Sequence, residues 1–166
     1  MARHSPCSAR VAELVACFEH IAETRMRGLP IVHPLIRVEA VGFRSLDAES
    51  ALGVLITPWF MNLVKLPRVA QCEPKGVGEK WLLPVGEQRI ELIGAYEPGI
   101  GQFACSSLYS PLLQFVNHDV ALLTAREAMT GLVRLGAFDR EAGEPTAREL
   151  SRRNFLRVGG GAGGAP

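Results

Sequence analysis

Nowhere in this 166-residue chain do two cysteines form a Cys-x-x-Cys pair. The four present, Cys7, Cys17, Cys72 and Cys105, follow no framework spacing, which argues against a zinc ribbon or a disulfide scaffold and for free thiols in a reducing cytosol. No apolar run approaches the roughly 20 residues that cross a bilayer, and the start lacks the h-region of an export signal. A cytoplasmic protein without stable membrane insertion is expected. Charge of one sign is also scarce. Eighteen Lys and Arg against 17 Asp and Glu leave +1, whereas nucleic acid calls for a clustered basic face. Gly76-Val-Gly78 lacks both the Lys-Ser/Thr of a P-loop and the third glycine of a dinucleotide fingerprint, so no nucleotide or other cofactor is indicated.

What is present reads as one domain, residues 1–138, followed by a charged and Gly-rich tail, 139–166. Val11, Leu14, Val15, Phe18, Ile21 and Ala22 recur at helical spacing over 8–27, with Gly28 and Pro30 as the stop. Ile36, Val38 and Ala40 alternate with Arg37 and Glu39, which predicts a half-wet strand. After a polar turn at 45–50, Leu52 to Thr57 is apolar on both parities, as befits a central strand paired antiparallel with the first. Residues 65–80, with Pro67, Pro74, Gly76 and Gly78, read as a loop. Trp81 to Leu83, 88–96 and 102–108 predict further strands, the last two as a hairpin around Glu97-Pro98-Gly99. Asn117 caps a closing helix to about Leu135, with Leu122, Ala125, Met129, Leu132 and Val133 inward. Strands segregated between helices indicate an α+β fold: a mostly antiparallel sheet flanked by an N-terminal and a C-terminal amphipathic helix.

Candidate chemistry is thin. Glu13, Cys17 and His20 share a helix stripe that offers metal-ligand types, but such a stripe is more often a solvated flank, and no metal site is assigned. Cys105 or Ser107 with His33 or His118 and Asp119 supplies the types for a thiol or serine enzyme. No Gly-x-Ser-x-Gly or comparable signature surrounds them, so no catalytic residue is assigned and a non-enzyme is expected. Two strand exits carry more. Thr57, Pro58, Trp59, Phe60 and Met61 follow one strand, and Ser107, Tyr109, Ser110, Pro111 and Leu112 close another. Proline ends each ladder, because it has no N–H to donate. If the two exits share a rim, their large apolar side chains line a partner groove; otherwise they plug the core. Small-ligand binding in the same groove is a third reading.

Ile56-Thr57-Pro58-Trp59, Leu83-Pro84-x-Gly86 and Ser107-Leu108-x-Ser110-Pro111-Leu112, in this order between a leading and a closing helix, resemble the HybE-type (HupJ/HoxT-like) nickel-iron hydrogenase assembly chaperones over roughly 11–135. The resemblance implies a non-enzymatic cytoplasmic chaperone for maturation of an uptake hydrogenase. It would hold small- or large-subunit precursors until cofactors are in place and delay twin-arginine export. Some members resemble this domain fused to a rubredoxin module, which a chain without Cys-x-x-Cys does not carry. The tail is similar to an export-signal core at Ser151-Arg152-Arg153-Asn154-Phe155-Leu156-Arg157, but at the wrong end of the chain. Two readings stand: a pseudo-signal that acts as a tethered competitor for the partner groove, or a basic tail that matches a short consensus by chance, and the second carries the greater weight.

Overall fold

The structure is a computed structural model and describes residues 6–139. The Ser151–Arg157 segment and the tail around it lie outside the described residues. Helix α1 (Pro6–Glu23) leads. Strands β1 (Glu39–Ser45), β2 (Ser50–Ile56), β3 (Met61–Pro67), β4 (Lys80–Val85), β5 (Gln88–Glu97) and β6 (Gly101–Tyr109) follow, and helix α2 (His118–Arg134) closes the described chain. The six strands form one antiparallel sheet in the order β1-β2-β3-β6-β5-β4. The α+β class and the flanking helices expected from the periodicities are those observed.

Alternation along the strands sends successive side chains to opposite faces. Leu52, Val54, Ile56, Met61 and Leu63 join Ala121, Ala125, Met129 and Leu132 of α2 in one apolar cluster. Leu55, Val64, Leu66 and Phe103 join Leu14, Phe18 and Ile21 of α1 in a second. The sheet is therefore the middle layer, and β2, paired on both edges and covered on both faces, is buried at all seven positions. Gly53 matters here: a Cβ on it would stand 2.4 Å from the Phe43 ring and 2.8 Å from the Phe43 Cα, so β2 pairs beside the irregularity of β1 between Val41 and Arg44 only because this residue has no side chain.

Three expectations are corrected. The first strand begins at Glu39, not Ile36. Ile36 and Val38 are buried in the approach to it, one in each cluster, so their alternation reports burial rather than ladder pairing. The 65–80 stretch is not all loop, because β3 runs to Pro67 and is a central strand between β2 and β6. Asn62 and Lys65 break its apolar pattern, and Pro67 ends it at the margin, where no further ladder bond is needed. In α2, Asn117 is the N-cap, its side-chain oxygen accepting from Val120 N at 3.0 Å, and Gly136 lies past the end at φ +80°. Val133 of the expected inward face is nevertheless exposed, and Ala121 and His118 are buried instead.

Candidate partner-binding rim

Both proline-marked exits lie on one rim. Ile56 pairs with Met61 across β2 and β3, and Met61 pairs with Tyr109 of β6. The turn between β2 and β3 is organised by Thr57. Its N–H donates to Phe60 O at 2.8 Å, and its hydroxyl accepts from Phe60 N at 3.0 Å and Trp59 N at 3.3 Å. A hydroxyl that holds two backbone N–H groups of a four-residue turn does what a further ladder bond would otherwise do.

His33 joins three segments at this rim. Its backbone N–H donates to Pro58 O at 2.7 Å, its Nε2 bonds Phe115 O at 2.7 Å, and its Nδ1 accepts from Leu35 N at 3.1 Å. A carbonyl only accepts and a backbone N–H only donates, so the ring is neutral with its proton on Nε2. The buried His118 makes a second clasp, with Nε2 on Glu39 Oε2 at 2.6 Å and Nδ1 accepting from Arg37 N at 3.4 Å. The loop before β1 is thus tied to the β2–β3 turn and to the segment between β6 and α2.

The side chains expected to line a groove divide by role. Thr57, Pro58, Met61 and Leu112 are buried and hold the rim from within. Trp59 and Phe60 are half-buried, edge to face at 5.7 Å, and lean on Phe18 of α1 at 6.5 and 5.6 Å. Ser107, Tyr109, Ser110 and Pro111 are exposed, Tyr109 edge-on to Phe115 at 5.1 Å. Trp59 and Phe60 belong to the α1 cluster, whereas Met61 and Leu112 belong to the α2 cluster, so the shared rim carries its apolar groups on both faces of the sheet. Sequence reasoning missed the continuation. Leu35, Leu113, Val116, Val120 and Leu123 are all exposed, Val116 at 75%. Leu113 and Val116, apolar residues in the short connection between β6 and Asn117, carried a local signal for two of them; Leu35, Val120 and Leu123 carried none.

The catalytic alternative is not assembled. Cys105 points into the α1 cluster, where burial pushes its thiol up from the ordinary range, opposite to what a nucleophile needs. His33 and His118 are engaged by the contacts given above, and Asp119 is exposed on α2. Burial, then Glu97, raises Cys17 as well. Glu13 pairs with Arg10, and among the described residues no three His, Cys, Asp or Glu side chains gather where a metal ion could bind. A cavity of about 360 Å³ lined by Asp47, Ser50, Lys65, Trp81 and Gln102 opens at the other end of the sheet, near the Ser50–Pro67 pair, away from the rim.

These features define a three-layer α+β domain with an apolar rim where β2, β3 and β6 end. Comparison with known proteins gives the rest. Residues 9–158 match the family described as "[NiFe]-hydrogenase assembly, chaperone, HybE". The chain is similar to the hydrogenase expression/formation protein HupJ of Bradyrhizobium diazoefficiens, at 39% identity over 87% of this chain and 85% of that one. It is similar also to HoxT of Cupriavidus necator, at 37% identity over 94% and 93%. Its fold matches the solution structure of HybE from Escherichia coli with a TM-score of 0.54 and 25% identity, over 83% of this chain and 84% of that one. The chain belongs to the HybE family of nickel-iron hydrogenase assembly chaperones.

Proposed function

We propose that this chaperone serves a nickel-iron uptake hydrogenase in the cytoplasm, holding a small- or large-subunit precursor against its rim before twin-arginine export and catalysing nothing itself. The observation that carries the reading is the Met61–Tyr109 pair, which brings two proline-marked strand exits to one edge of the sheet. Half-buried aromatics supported from below, with exposed apolar residues around them, suit an incompletely folded partner that offers apolar surface of its own. Thr57, Pro58, Met61 and Leu112 set the shape of this surface. Trp59, Phe60, Ser107, Tyr109, Ser110 and Pro111 make the contact. The family membership and the HupJ and HoxT likenesses support the choice of a hydrogenase subunit as the client.

The test is co-purification from cells that express the hydrogenase genes. Tagged chaperone retains the unprocessed precursor and not the mature enzyme. Trp59→Ala reduces that retention while leaving a cooperative unfolding transition, because the ring is only half-buried and its removal costs less than the about 3–5 kcal/mol of a fully buried tryptophan. Equal retention of precursor and mature subunit would overturn the reading.

A further inference from the structure

The first half of α2 carries, on the side away from the sheet, a pattern that the fold leaves without a partner. Asp119, Leu123 and Glu127 succeed one another at i, i+4 and i+8, so they line one outward stripe that spans about 12 Å along the axis. All three are exposed, Leu123 at 59%, with Val120 at 40% beside it. Neither Asp119 nor Glu127 makes an ion pair among the described residues. Arg126 stands to one side of the stripe and is likewise in none of these pairs. The face therefore reads acid, apolar, acid.

We infer that the occupant of this stripe is the chain's own segment Arg153–Arg157. Laid out extended, Arg153, Phe155 and Arg157 fall on one side of the backbone, and the four residue steps from Arg153 to Arg157 cover about 13 Å. The segment therefore reads base, apolar, base at the same spacing as the acid, apolar, acid of the helix. Each arginine meets one carboxylate while Phe155 lies on Leu123. Charge and apolar positions match together, which neither a uniformly basic nor a uniformly apolar segment would achieve. Reach does not limit the contact. Leu123 lies about 17 Å back along the helix from Arg134, and the 16 residue steps from Asp139 to Phe155 extend to roughly 50 Å. The family match also runs through this segment to residue 158 and stops before the terminal Gly and Ala run.

Held there, the segment occupies surface that adjoins Val116 and Leu113 of the rim, so it competes with any client that needs both. Only this consequence rests on the chaperone reading; the docking does not.

Amide chemical shifts of the full chain test it. Arg153→Glu with Arg157→Glu moves the amide signals of residues 116–127 and leaves those of the sheet in place. Adding Asp119→Lys and Glu127→Lys to that variant returns the signals toward their wild-type positions. A synthetic peptide of residues 150–158 binds the Arg153→Glu/Arg157→Glu chain about tenfold more tightly than the wild type, because the tethered copy no longer competes at its high effective concentration. The inference is overturned if α2 signals ignore the tail substitutions, if the peptide binds both chains equally, or if the wild-type signals change on dilution, which would make the occupant a second copy. Precursor retention is measured separately. Loss of retention in both chains with the amide shifts intact would remove the chaperone reading and leave the docking standing.

Discussion

His33 and Cys105 set the chemistry of single residues in this protein. Replacing His33 with alanine removes the acceptor of Leu35 N and the donor to Phe115 O, both at the rim. Each buried polar group left without a partner costs about 1–3 kcal/mol. His33→Ala is therefore expected to lower the urea midpoint by an amount equivalent to about 2–4 kcal/mol and to weaken client capture, because the loop before β1 loses its tie to Phe115 while its backbone bond to Pro58 O remains. Cys105 is an internal reporter of the opposite kind. With its thiol raised by burial above the ordinary value of 9.0, it should alkylate slowly at neutral pH while the exposed Cys72 reacts first, as mass spectrometry of partly labelled protein will resolve. The sign of the pH effect follows. The unfolded thiol ionises before the folded one, so the stability linked to Cys105 is complete below the unfolded value and declines as pH rises through the folded one.

At the scale of elements, β2 bears the most constraint. Gly53 admits the Phe43 side chain of β1 across the strand, and an added methyl meets both the ring and the Phe43 backbone. Gly53→Ala is expected to cost about 1–3 kcal/mol, read as a lowered Tm, and it should leave the helical circular dichroism intact. The elements also show what was legible before the fold. The spacing of Leu14, Phe18 and Ile21, the cap at Asn117 and the apolar run through β2 are local signals, and each element formed where its signal stood. β3 was the failure. Its buried positions interleave with Asn62 and Lys65, and a short strand that derives its stability from two neighbours carries little pattern of its own.

For the molecule as a whole, the described sheet has helices on both faces and an apolar rim where β2, β3 and β6 end. A client that needs both this rim and the outer stripe of α2 would compete with the tail that the inference above places on that stripe. Deleting residues 151–166 should then raise the affinity for a synthetic export-signal peptide in calorimetry; an unchanged affinity would leave the tail without a competing role. Aromatic residues at the two strand exits were visible from the sequence, but their division between the two faces was not. Which face a residue occupies depends on register with strands distant in the chain.

The sequence by itself determined the α+β class, the two amphipathic helices, the cap at Asn117 and the proline-marked strand exits, because each rests on residues within a few positions of one another. The family resemblance was legible there too, in the order of three short motifs. Only the tertiary structure decided that β3 stands between β2 and β6, that Met61 faces Tyr109, and that His33 clasps Phe115 across 82 positions of chain. Those are long-range pairings. Their energy comes from hydrogen bonds and burial that exist only when distant segments meet, so no local pattern announces them.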